Sequence, residues 1–195
     1  MAQVLRRAFV VAAVFVMAAA PAWPCSVVGP LPSPQQLVDR AEVIVRVRAE
    51  GLADGPGRPA SVMECITTGK EATCGNLLTA SPTRLRFAVI EVLKGRLASI
   101  PIEFNGTFWD RDDRNDQPVP YDFIRPGGRG GNCFALTYRL GAEYLMLLAR
   151  NKPVSDAQPV ELTPYWAPLA PTNEQLFGGD NDAWLTWVRQ SLRAH

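Results

Sequence analysis

The chain has 195 residues, 47% of them hydrophobic, with twenty basic side chains against nineteen acidic ones. That balance leaves no basic excess to hold nucleic acid and no acidic tail. Seventeen prolines and fifteen glycines favour short elements over a helical bundle, and the only histidine, His195, removes Ser-His-Asp, Cys-His and His-rich metal chemistry.

The first stretch reads as an export leader. Arg6 and Arg7 form a basic n-region, Ala8 to Ala20 an apolar h-region, and Ala20-Pro21-Ala22 an A-x-A cleavage site. The apolar run is shorter than the roughly 18 to 20 residues a spanning helix needs. Trp23 and Pro24 also make Cys25 a poor lipidation site. We therefore expect a signal peptide over 1–22 and one mature domain over 23–195. The expected location is secreted or periplasmic, with no stable membrane insertion. Twenty basic residues less Arg6 and Arg7 leave eighteen against nineteen acidic, so the mature chain is close to neutral.

Four cysteines in an exported chain, Cys25, Cys65, Cys74 and Cys133, read as two disulfides with three possible connectivities. A local Cys65–Cys74 bridge is the simplest choice, because both lie in one Gly- and Thr-rich loop. It leaves Cys25 with Cys133, a closure that restricts the unfolded chain by about 4 to 5 kcal/mol in the entropy model. A metal site would want a CxxC pair or a nearby histidine, and neither is present.

In chain order, Ser33-Pro34 has the form of an N-cap with proline at N1, opening a short helix through Leu37, Val38 and Ala41. From Val43 the period becomes two. Val43, Val45, Val47 and Ala49 share one face, and Ile44, Arg46 and Arg48 the other. Residues 52–82 show no periodicity and read as an insertion. Leu85, Phe87 and Val89 then alternate with Arg84, Arg86 and Ala88, after which Ile90 and Val92 change parity. A bulge, or a twist that buries both faces, accommodates that change. Lys94-Gly95 ends the run, and Ile100, Ile102 and Phe104 begin a second strand, a hairpin expected at the centre of an antiparallel sheet. A second irregular insertion covers 105–132. Gly141 to Ala149 is a nearly continuous buried strand, and Val160 to Trp166 a shorter one whose Pro164 suits an edge. A helix near 181–193, capped by Asp180 or Asn181, carries Trp184, Trp187, Val188 and Leu192 on one face.

The cysteines and strands in this order, Cys25-Ser26, Ala41-Glu-Val-Ile-Val-Arg-Val47, Glu91-Val-Leu-Lys-Gly95, Ile100-Pro-Ile-Glu-Phe104, Asn132-Cys-Phe-Ala135 and Gly141-Ala-Glu-Tyr-Leu-Met-Leu-Leu-Ala149, resemble the netrin-like domain of the tissue inhibitors of metalloproteinases, especially its bacterial exported relatives. The likeness covers roughly Cys25 to Leu162. It implies a mainly β fold: a five-stranded closed barrel of the oligonucleotide/oligosaccharide-binding (OB) type, flanked by a short N-terminal helix and a C-terminal amphipathic helix. It also implies the Cys25–Cys133 pairing. The implied function is a non-catalytic binding module for a protein or an extracellular polymer, without cofactor.

The alternative is metalloprotease inhibition through an edge formed by Cys25, Ser26 and Val27. In the inhibitors, the N-terminal Cys chelates the protease's zinc through its free α-amine and carbonyl. Here Trp23 and Pro24 precede Cys25 if cleavage follows Ala22, and Val27 stands where the family's second cysteine is expected.

Other chemistry is weighed residue by residue. Glu91, Glu103 and Glu143 are the carboxylates available for glycoside hydrolysis, against solvated acids paired with Arg84, Arg86 or Arg150. Asp110, Asp112 and Asp116 offer oxygen ligands for calcium but lack the turn glycine and distal Glu of an EF-hand loop, so a solvated loop is the expectation. Asn105-Gly-Thr107 fits an N-glycosylation acceptor. Gly127 to Gly131 reads as a flexible linker rather than a phosphate loop. Tyr121, Phe123 and Phe134 are candidates for an aromatic surface at the barrel mouth, with core packing expected for at least two of them.

Overall fold

The computed structural model describes residues 29–53, 64–68, 71–75, 84–98, 100–129, 133–150, 162–164 and 167–194. The leader, the Trp23–Val27 segment and His195 lie outside the described residues.

Helix α1 (Pro34–Arg40) starts as the sequence requires. Ser33 caps it, Pro34 sits in the first turn, and the Gln36 side chain accepts from the Ser33 N–H at 2.9 Å to complete a capping box. At its other end, Lys94 Nζ donates to the carbonyls of Val38 and Asp39, at 2.8 and 3.0 Å. A cation there satisfies groups that the helix leaves unpaired.

Strand β1 (Val43–Leu52) is the middle of the sheet. It pairs antiparallel with β4 (Arg84–Lys94) on one side and with β8 (Glu143–Arg150) on the other. β5 (Ile102–Asn105) extends the sheet beyond β4, and β10 (Asn173–Leu176) extends it beyond β8, giving the order β10-β8-β1-β4-β5. β9 (Leu162–Pro164) pairs with the end of β8. Leu148 faces Val43 on one edge and Pro164 on the other, so β9 lies on the same side of β8 as β10. The expected β4–β5 hairpin therefore forms, but at one flank of the sheet and not at its centre. The reason is that β1 is apolar over both faces at its start and takes a partner on each edge.

The parity change in β4 is a bulge. Arg46 faces Glu91 and Val47 faces Val89, so Ile90 is the extra residue. It does not bury both faces: Ile90 and Val92 are exposed. Gly95 turns the chain out of β4 at φ +77°, where an added Cβ would strike the Glu42 carbonyl.

The two faces of the sheet bury different cores. Val43, Val45, Val47 and Ala49 meet Leu85, Phe87, Ile102, Phe104, Tyr144, Met146 and Leu148 on one face. Ile44, Leu145 and Leu147 face α1 and helix α3 (Ala183–Arg193), where Trp184, Leu185 and Val188 pack. β8 is thus buried on both sides, which is why its sequence is continuously apolar.

Two smaller pairs complete the fold. β2 (Glu64–Thr68) and β3 (Glu71–Gly75) form a hairpin inside the stretch read as aperiodic, with Cys65 opposite Cys74 in register. β6 (Thr107–Trp109) follows a bend at Gly106 and pairs in parallel with β7 (Thr137–Arg139). Gly106 is needed there, since a Cβ would lie 2.8 Å from the Leu136 carbonyl and the Tyr138 ring. Among the described residues no pairing joins β5 to β9 or β10, so the sheet path is open there, where the sequence suggested a closed barrel. No described helix is long and apolar enough to cross a membrane.

The cap of α3 is Asp182, not Asp180 or Asn181. A 3-10 turn at Gly179–Asn181 moves the start of the helix along the chain. Asp182 accepts from the backbone of Trp184 and Leu185 with one oxygen, and from Phe177 and Gly178 with the other. Asp182→Ala is expected to cost about 1 to 2 kcal/mol, while Asp180→Ala, on an exposed side chain that solvent screens, is expected to cost distinctly less. Urea denaturation of the two variants distinguishes them.

Candidate functional site

The second insertion is irregular in backbone over residues 110–125, as expected, but part of it is buried. Asp113, Asn115, Ile124 and Arg125 are buried, and the short helical turn α2 (Pro126–Arg129) packs where a flexible linker was expected. Arg125 is completely buried. Its Nη1 donates to Asp113 at 2.9 Å, its Nε to the Asn173 carbonyl at 3.0 Å, and its plane lies 5.1 Å from the rings of both Tyr138 and Tyr144. The second Asp113 oxygen accepts from the Gly127 backbone at 2.8 Å. An added Cβ on Gly127 would collide with that carboxylate.

Glu174 of β10 lies beside this pair. It accepts from the Arg125 backbone at 3.2 Å and from Asn115 Nδ2 at 2.8 Å. Burial dominates its titration and pushes its pKa up to about 7, against the opposing pull of Arg125 and Asn115. Gln175 bonds the Asp113 backbone at 2.9 Å, and Asn173 bonds the Ala135 carbonyl and the Tyr138 hydroxyl. The guanidinium is buried and hydrogen-bonded, so the cluster clamps the insertion onto β10 and β8, while Asp113 and Gly127 also reach a groove shared with Trp109, Arg111 and Arg114. The cluster's polar composition is the reason periodicity did not reveal β10.

The carboxylates singled out from the sequence are spoken for. Glu143 pairs with Arg46 and Arg48, and Arg46 also pairs with Asp180. Asp180 and Glu91 in turn pair with Arg189 of α3. Partial burial works against the charge of Glu143, but hydrogen bonds from Arg48 and Arg46 outweigh it and hold the carboxyl below its ordinary range. Glu103 on β5 is shared by Arg84 and Arg86. Glu91 and Glu143 belong to one ion-pair network, linked through Arg189, Asp180 and Arg46, and Glu103 to another.

Asp112 and Asp116 likewise turn to different cations. Hydrogen bonds from Arg139 and Gln175 lower Asp112, and those from Arg129 and Gln117 lower Asp116. Asp110, Asp112 and Asp116 are exposed, as a solvated loop requires, and the last two are also ion-paired. Among the described residues no group of three His, Cys, Asp or Glu side chains is placed to hold a metal. Tyr121 stacks on Trp184, with centroids 5.0 Å apart, and Phe123 packs against the small core around Ile124 and Leu169. Both are packing residues, as expected for two of the three aromatics. Cys133 is disulfide-bonded. The proposed edge residues Cys25, Ser26 and Val27 fall outside the described residues.

Among the grooves lined by described residues, one of ≈ 650 Å³ lies at the end of the sheet path; two others of ≈ 490 and ≈ 500 Å³ lie beside Arg139 and beside Trp109. Ile102 and Phe104 of β5 and Leu162 of β9 line the first, together with Leu97 and Pro101 of the hairpin loop. Arg84, Arg96 and Arg150 lie around it, with Glu103 as the one acid in the lining. Glu42 pairs with Arg150 at 3.2 Å. In the sequence, Arg84, Arg86 and Arg150 stand out only as partners for acids, and Arg96 belongs to no motif. The available signal was the excess of arginine over acid on the strands that flank the hairpin.

Neither the family models, nor the curated proteins, nor the solved structures searched contain a match to this chain.

Two outcomes test the buried cluster. Arg125→Met strands Asp113 in the interior and is expected to cost about 3 to 5 kcal/mol. Arg139→Met breaks a half-exposed pair and costs about 1 kcal/mol or less. Both are read by urea denaturation. Glu174 is raised above its unfolded value, so the stability tied to its proton is complete below the unfolded pKa and is lost as pH rises through about 7. Wild type should therefore lose stability between about pH 5 and about pH 8 relative to Glu174→Gln, whose curve stays flatter over that window. Parallel wild-type and variant curves would show that Glu174 does not titrate there.

Proposed function

We propose that the chain is an exported, non-catalytic binding module of netrin/TIMP-like type, built on a partly open OB-type barrel. The observation that carries this reading is the strand order. β1, β4 and β5 form a meander, β8 returns to pair with β1, and β10 lies beyond β8. A five-stranded OB-type barrel follows the same path, with its remaining seam between the third and fifth strands. The core drawn from β1, β4, β5 and β8 supports a sheet that curls, and a bonded Cys133 ahead of the Glu143-Tyr144-Leu145 strand supports the family likeness.

The non-catalytic part rests on the ionised groups. Glu91, Glu103 and Glu143 are each held by arginine, and the lowered Glu143 carboxyl does not suit a proton donor near neutral pH. The export leader read over residues 1–22 supports a location outside the cytoplasm, and the proposed partner is a protein or an extracellular polymer.

Non-reducing peptide mapping of the mature protein tests the reading. Cys25–Cys133 and Cys65–Cys74 are expected; a peptide joining Cys133 to Cys65 or Cys74 would overturn the family likeness. Inhibition of thermolysin is measured alongside, with protein starting at Trp23 and with protein starting at Cys25. The binding-module reading expects no inhibition by either form. Inhibition confined to the Cys25 form would replace it with the inhibitor reading.

A further inference from the structure

We infer that the groove beside β5 binds an extended acidic peptide, which adds to the sheet as a further strand; this rests on the binding-module reading above. Three observations lead to it. First, the sheet path ends at β5, whose outer edge carries no strand among the described residues. The Glu103 carbonyl on this edge strand accepts a long 3.5 Å hydrogen bond from Arg84 Nη2, and an edge whose backbone groups have no strand partner is a template for another chain. Second, that edge opens directly into the groove, with Leu162 of β9 as part of the lining. An incoming strand therefore has β5 to pair with and a facing wall to fill. Ile100, 68% exposed in the loop before Pro101, supplies apolar surface next to the same edge.

Third, the charge is one-sided in a chain that is otherwise neutral. Arg84, Arg96 and Arg150 line the groove with a single acid, Glu103, which already serves both Arg84 and Arg86, while Arg150 pairs with Glu42 outside the lining, so the uncompensated cation among the described lining residues is Arg96. Arg96 is exposed, and no carboxylate pairs with it among the described residues. Side chains of a strand alternate between faces. A peptide alternating acidic and apolar residues thus turns its apolar side chains toward Ile102, Phe104 and Leu162 and its carboxylates toward the arginines. Main-chain pairing supplies affinity in this mode, and the side-chain contacts supply selectivity.

The test is fluorescence anisotropy with the full mature protein and a labelled octapeptide alternating Glu and Val. Three controls accompany it: the same peptide N-methylated at alternate amides, a Lys/Val counterpart, and dextran sulfate as competitor. The protein variant is Arg96→Glu/Arg150→Glu, both exposed positions, with near-UV circular dichroism to check its fold. The Glu/Val peptide is expected to bind, and to weaken at least about tenfold on N-methylation and on the double substitution. Equal binding of the N-methylated peptide, with full displacement by dextran sulfate, would assign the arginines to a polyanion and overturn strand addition. Equal binding of the Lys/Val peptide, or no binding of any probe, would overturn it too. None of these results alters the disulfide map, so the module reading stands or falls separately.

Discussion

A guanidinium with no access to water organises the half of this protein that has no regular pattern. Arg125 leaves solvent only because Asp113 neutralises it, the Asn173 carbonyl takes its Nε, and two tyrosine rings flank it. Removing any one of these partners leaves a buried charge poorly compensated. The consequence is geometric. A loop that crosses from β6 to β7 is held against β10 and β8, so a short edge strand made of Asn, Glu, Gln and Leu stays in the sheet although its side chains are mostly polar.

The same constraint shapes what is left for function. With one flank of the sheet secured by the Arg125 cluster and one face covered by α1 and α3, the edge with no strand partner among the described residues is at β5. Aromatic contacts among Phe87, Phe104, Tyr138 and Tyr144 fill the core face beneath it, at centroid distances of 5.0 to 6.5 Å. Such pairs add about 0.5 to 1.5 kcal/mol each beyond burial, so the wall beneath the groove is firm. Affinity on such a surface depends on the occupant more than on rearrangement of the protein.

The elements legible in the sequence are those whose apolar residues obey one period. β1, the first half of β4, β8, α1 and α3 all declare themselves this way, and the Ser33-Pro34 cap was readable to the residue. Three features were hidden for separate reasons. β10 is buried through hydrogen bonds, so hydropathy carries no trace of it. The start of α3 moved because Asp180 is drawn to Arg46 and a 3-10 turn intervenes, leaving Asp182 to cap. The groove was hidden because it belongs to no single segment: Arg84, Arg96, Arg150 and Leu162 meet only once the sheet curls.

The central claim is that the sheet has an unfilled seam at β5, and residue-resolved amide hydrogen exchange of the unliganded protein tests it most directly. The account predicts that amides of Ile102–Asn105 pointing away from β4 exchange rapidly, while those of β1 exchange only through global unfolding. Uniformly strong protection along β5 would mean that its outer edge is already paired, and would contradict the account.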